Sequence, residues 1–218
     1  MFPKVKICCI SSEEEASIAI GYGAAALGLV AKMPSGPGII SDELIADIAK
    51  NVPPPIGTFM LTSETSADEI IAHNYRTNTN TIQIVDALKK GSASYDAIKT
   101  ALPSIKIVQV IHVVSEASID EALEIAENVD ALLLDSGNPN LAVKELGGTG
   151  RTHNWQLSKQ IVKQCKKPVF LAGGLKVDNV KHAIDVVQPY GLDLCSGVRT
   201  NQKLDPHKLE AFFKAVYD

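Results

Sequence analysis

The sequence predicts an α/β protein built as a single-domain (βα)8 TIM barrel over residues 1–218. Three observations carry that expectation. Short apolar runs alternate with helical stretches along the whole chain, at the spacing of strand–helix units. The runs, such as Ala131-Leu132-Leu133-Leu134, have no polar gap on either face, as parallel strands covered by helices on both sides require. No linker divides a chain whose length and 45% hydrophobic content suit one large core.

The elements follow in order. Residues 5–10 read as the first strand, and Ser11 or Ser12, with Glu14 or Glu15 three residues on, starts a helix to about residue 22. Strand 25–30 leads into Met33-Pro34-Ser35-Gly36-Pro37-Gly38, too rich in Pro and Gly for regular structure. Ser41 caps a helix over 42–51, which Pro53-Pro54-Pro55 stops. Strand 56–61, helix 66–74, strand 81–85 and a short helix 91–102 before Pro103 come next. Strand 105–111 precedes a helix over 116–128 with Ile119, Leu123 and Ala126 along one side. Strand 130–135, helix 155–165, strand 168–172, helix 177–187 and strand 191–195 complete the alternation. Asp205 at the N-cap and Pro206 at the first helical position open the last helix, 205–217.

Composition narrows the function. Twenty-one basic residues against 25 acidic ones give a net charge of −4, which favours neither nucleic acid nor an anionic membrane surface. No apolar stretch reaches the length of a membrane span, and the N-terminus lacks a signal-peptide pattern, so a cytoplasmic protein is expected. The four cysteines, Cys8, Cys9, Cys165 and Cys195, have neither CxxC spacing nor the density of a disulfide scaffold. His73, His153, His182 and His207 show no ligand spacing, so no metal is expected. P-loop and G-x-G-x-x-G fingerprints are absent, and no cofactor is implied.

In a parallel barrel the carboxyl ends of the strands gather on one rim, and chemistry is placed there. Asp135 closes an apolar strand, where a buried carboxylate needs a partner or a task. Cys8 ends the first strand and could serve as a base, while Cys9, one residue on, should point the other way. Gln83 and His112 also stand at strand ends, His112 reading more simply as structural. Gly173-Gly174 and Ser196-Gly197 close consecutive strands, where exposed backbone N–H groups build an anion site. Gly147-Gly148-Thr149-Gly150 either adds to that site or acts as a lid.

With these residues assembled, the chain resembles the phosphoribosylanthranilate isomerase family over nearly its whole length. Val5-Lys6-Ile7-Cys8-Cys9-Ile10 is similar to the family's VKICGI. Leu132 to Ser136, Gly147 to Gly150 leading to Trp155, Leu171 to Leu175 with Asn179-Val180, and Asp193 to Val198 continue the likeness in order. The resemblance implies an Amadori rearrangement of a phosphorylated sugar without cofactor, with Cys8 as general base and Asp135 as general acid. It also implies phosphate binding at Gly148, Gly173, Gly174, Ser196 and Gly197.

Four departures accompany it. Gly38 stands where the family has an arginine for the anthranilate carboxylate, Cys9 replaces the glycine of ICG, Gln83-Ile84-Val85-Asp86 replaces QLHG, and Arg199 replaces a glutamate. Arg199 is therefore a candidate, with Gln83, for substrate binding, taking over the missing cationic contact. Two other readings stay open, a paralogue isomerising another phosphorylated sugar and a non-catalytic phosphate-ligand-binding barrel. Both monomer and homodimer are compatible with the sequence.

Overall fold

A computed structural model describes residues 2–89, 91–137 and 150–218. Its strands are β1 (Lys4–Ile7), β2 (Ala26–Val30), β3 (Gly57–Thr62), β4 (Thr81–Ile84), β5 (Lys106–His112), β6 (Ala131–Asp135), β7 (Val169–Leu171) and β8 (Gly191–Leu194). They close in chain order into a parallel barrel, β8 returning to β1 with Lys6 opposite Asp193 and Ile7 opposite Leu194. The helices are α1 (Glu13–Gly21), α2 (Asp42–Asn51), α3 (Ala67–Thr77), α4 (Ser92–Ala101), α5 (Ala117–Ala126), α6 (Trp155–Gln164), α7 (Val177–Val187) and α8 (Pro206–Tyr217). The expected (βα)8 fold is the observed one.

Period-two alternation divides the apolar residues between two cores. Leu27, Leu29, Ile82, Ile84, Leu132 and Leu134 face outward and are buried against the helices. Ala26, Phe59, Leu61, Val108, Val110, Leu133 and Phe170 face inward and fill the barrel. Phe59 and Phe170 meet edge to face, centroids 6.0 Å apart, and a Cβ at Gly191 would collide with the Phe170 ring. Large rings opposite a bare backbone plug the interior below the rim, leaving chemistry only at its mouth.

Local capping agrees with the sequence at several ends. Ser12 Oγ accepts from the Glu15 N–H at 3.1 Å, and Asp205 accepts from the N–H groups of His207 and Lys208. Two differences bear on the site. The first strand ends at Ile7 rather than continuing to residue 10, because Cys9 takes φ 62° and leaves the extended conformation. After a short 3-10 turn, Ser196–Val198, an antiparallel pair β9 (Arg199–Thr200) and β10 (Lys203–Leu204) fills the segment before α8. No period-two pattern is legible in strands of two residues.

Candidate active site

The carboxyl ends of the strands enclose a cup of about 740 Å³, part of it open to solvent. Cys8, Gln83, Asp135, Gly173, Gly174 and Ser196 all line it. The sequence therefore placed six of its candidates around one space. Gly148 lies outside the described residues, and Gly150 lines the cup beside them.

Asp135 is 8% exposed, and its Oδ1 accepts from the Ser136 N–H at 2.7 Å. Its pKa is raised above the ordinary aspartate value. Burial is the main cause and Asp193 adds to it, while the Ser136 N–H and His112 pull the other way without prevailing. The direction favours the protonated form, the one that can donate a proton. His112 is its strand neighbour in register; the ring Nε2 donates to the Val85 carbonyl at 3.1 Å, which holds the imidazole in place.

Cys8 follows β1 directly and keeps the inward parity of Lys6. Lys6 is fully buried and pairs with Asp193 at 2.8 Å, its ammonium also lying over the Phe59 ring at 5.3 Å. Burial works against that charge, yet Asp193, followed by Cys8, outweighs it and the Lys6 pKa ends raised. Gly28 on β2 makes the room. A Cβ there would sit 2.7 Å from Cys8 Sγ and 2.9 Å from Lys6 Nζ. Lys6, Asp193 and Gly28 are parts of the site that the sequence reading missed. Charged residues of inward parity in VKI and GLDL were the available signal.

Gly173 and Gly174 take φ 82° and 61°, and a Cβ at Gly174 would stand 2.7 Å from the Arg151 backbone. Asn179 fastens the turn, its amide donating to the Gly174 carbonyl and accepting from the Lys176 N–H, both at 2.9 Å. Gly197, expected to bind phosphate beside Ser196, is not among the residues that line the cup. It lies against the Leu175 carbonyl, where no side chain would fit, and so holds the loops after β7 and β8 together.

Two residues are placed differently from expectation. Cys9 lines the cup instead of facing away, since its left-handed backbone breaks the strand's alternation. Arg199 does not line the cup. Its guanidinium pairs with Glu15 at 2.8 and 3.0 Å and donates to the Cys9 carbonyl at 2.6 Å. Arg199 and Glu15 side chains are 8% and 11% exposed. A nearly buried carboxylate is a stronger demand on the cation than a ligand at the rim.

The structure also explains Gly38. A Cβ at this position would lie 2.5 Å from Cys9 Cβ and 2.9 Å from Cys9 Cα, so the side chain at 9 fills the space that one at 38 would need. Gly38 also has φ 78°, a conformation that disfavours any side chain. Gly38→Arg alone is therefore expected to destabilise the fold by about 1–3 kcal/mol, as overpacking does. In Cys9→Gly/Gly38→Arg much of that loss should return. Urea denaturation of the two variants checks this, equal midpoints being the contrary result.

An eight-stranded parallel barrel with its cup at the carboxyl rim defines a protein of the TIM-barrel class. Residues 5–215 match the family profile described as N-(5'-phosphoribosyl)anthranilate isomerase. N-(5'-phosphoribosyl)anthranilate isomerase 2 of Methanosarcina mazei is 34% identical over 90% of this chain and 85% of its own. The corresponding isomerase of Methanosarcina acetivorans is 34% identical over 98% of this chain and 92% of its own. The Pyrococcus furiosus isomerase structure superposes with a TM-score of 0.80 at 28% identity, covering 98% of both chains. The chain belongs to the phosphoribosylanthranilate isomerase family, as a divergent member with the fold of an isomerase of that superfamily.

Proposed function

We propose that the protein rearranges N-(5-phosphoribosyl)anthranilate into the 1-deoxyribulose 5-phosphate product of tryptophan biosynthesis, in the cytoplasm and without a cofactor. The observation that carries this reading is the opening of Cys8 and Asp135 onto one cup walled by Gly173, Gly174 and Ser196. One solved relative was crystallised with reduced 1-(o-carboxyphenylamino)-1-deoxyribulose 5-phosphate; it shares 25% identity over 98% of both chains, with a TM-score of 0.78.

The chemistry assigns each group a step. Asp135 gives its proton to the furanose ring oxygen, the C1–O bond breaks, and the nitrogen lone pair forms the C1=N bond of a Schiff base. Cys8, as thiolate, removes the C2 proton, and the C–H electrons move to C1 as the C1=N pair returns to nitrogen. The resulting enolamine tautomerises to the ketone. Lys6 stands beside Cys8 and balances the charge of that base. The backbone N–H groups of Gly173, Gly174 and Ser196, with Gly148, hold the phosphate. Gln83 Oε1, buried and without a partner among the described residues, accepts from a sugar hydroxyl.

Purified protein supplied with phosphoribosylanthranilate made in situ should consume it, followed as loss of anthranilate-type fluorescence, and should complement a tryptophan auxotroph lacking this step. No turnover and no complementation would remove the assignment of substrate. The second reading, an isomerase of a different phosphorylated sugar, rests on the Cys9 side chain filling the space over Gly38.

A further inference from the structure

Two thiols at the rim have no part in the rearrangement. Cys9 holds φ 62°, a conformation that costs a residue with a side chain on the order of 1–3 kcal/mol and collects at functional positions. The bend turns its thiol into the cup, which Cys8 and Cys195 also line. Cys195 follows β8, is half-buried and lines the same cup. The barrel itself brings these groups together. The Cys8 N–H donates to the Leu194 carbonyl at 2.8 Å, which extends the β1–β8 pairing to the residues that carry the sulfurs.

Charge around the pair is unequal. The neighbouring Cys9 and, after it, the Arg199 guanidinium favour the thiolate of Cys195, against the cost of burial. Cys9 is held as the thiol by its neighbours Cys195 and Cys8 and by burial. Arg199 is kept beside them by Glu15, at 2.8 and 3.0 Å.

We propose that Cys9 and Cys195 form an oxidation site for small hydroperoxides, which closes as a disulfide and shuts the adjacent cup. The Cys195 thiolate attacks one peroxide oxygen, the O–O bond breaks, and the sulfur becomes a sulfenic acid. The hydroxide released takes the Cys9 proton and leaves as water. The Cys9 thiolate then attacks the sulfenic sulfur, the S–S bond forms, and the S–O bond breaks. The second hydroxide takes a proton from solvent. Two cysteines lose two electrons and one hydrogen peroxide becomes two waters. Drawing Cys9 onto Cys195 shifts the end of β1, next to Cys8. Only this last consequence, loss of turnover, rests on the isomerase reading.

The test is stoichiometric hydrogen peroxide on the whole protein, followed by thiol counting in denaturant, peptide mapping and turnover. The reduced chain has four thiols and the treated one should have two, with the segments holding Cys9 and Cys195 cross-linked. Cys8→Ser should still lose two thiols, whereas Cys9→Ser and Cys195→Ser should form no cross-link. Turnover of the wild type should fall about 10²-fold, the scale of a 1 Å misplacement, and return with dithiothreitol. A link that uses Cys8, or four thiols surviving in wild type, would overturn the proposal. A Cys9–Cys195 link in a protein without isomerase activity before treatment would sustain the oxidation site and remove the isomerase reading instead.

Discussion

Asp135→Asn is expected to lower kcat by roughly 10²–10⁴-fold, the usual contribution of a general acid. The side chain keeps its shape, and its amide oxygen can still accept from the Ser136 N–H, which now approaches Asp135 Oδ1 at 2.7 Å. Only the transferable proton is lost. Cys8→Ala should fall by a similar factor, and the double variant by much less than the product, because acid and base serve one reaction sequence. Steady-state kinetics of the three variants decide the matter; wild-type kcat in both single variants would end the mechanism.

The pH dependence follows with its sign. Burial first, and then Asp193, hold the Asp135 pKa above its ordinary value. The donor form exists below that raised value, so the Asp135 limb of the kcat/KM profile is lost as pH rises through it. Stability runs the same way. The folded protein keeps a proton that the unfolded chain releases, so this contribution is complete below the unfolded value and disappears as pH rises through the folded one. Asp135→Asn removes the penalty. The variant should be more stable than wild type to urea at pH above the raised value and slowed at every pH, separating a lost proton from a lost fold.

Lys6→Met should destabilise the barrel by about 3–5 kcal/mol, the scale for breaking a buried ion pair by removing one partner. Lys6 is fully buried at 2.8 Å from Asp193, and no solvent reaches the pair from the plugged side, where Phe59 and Phe170 meet. The surviving carboxylate would be left without its cation. Lys6→Met/Asp193→Leu removes both charges and should recover most of the loss, since an apolar pair of similar volume often replaces a buried ion pair without penalty. A urea double-mutant cycle measures the coupling, and a single-variant loss below the usual surface-pair scale of about 1 kcal/mol would contradict it. Removing Asp193 also removes a charge that raises the Asp135 pKa, so the alkaline limb should move to lower pH in Asp193→Asn.

How much of this was legible in the chain depends on the range of the interaction. Strand–helix alternation is a local pattern, and the eight units follow from it because runs such as 130–135 and 168–172 can be buried only between helices. Asp135 and the Gly173-Gly174 turn were likewise readable, each from a residue type that stands out at a strand's end. The Lys6–Asp193 pair joins residues 187 positions apart, so the inward charges in VKI and GLDL are visible locally but their pairing is not. The Arg199–Glu15 pair spans 184 positions, which is why Arg199 read as a free cation at the rim.

The amino-acid sequence by itself determined the barrel, its family and the residues that reach the rim, because hydrophobic period and turn chemistry act within a few neighbours along the chain. Closure of β8 onto β1 decided the rest. It matched Lys6 with Asp193, gave Arg199 to Glu15 and set Cys9 against Cys195. These are contacts between opposite ends of the chain, and charge pairing and steric exclusion at such separations exist only once the sheet has come full circle.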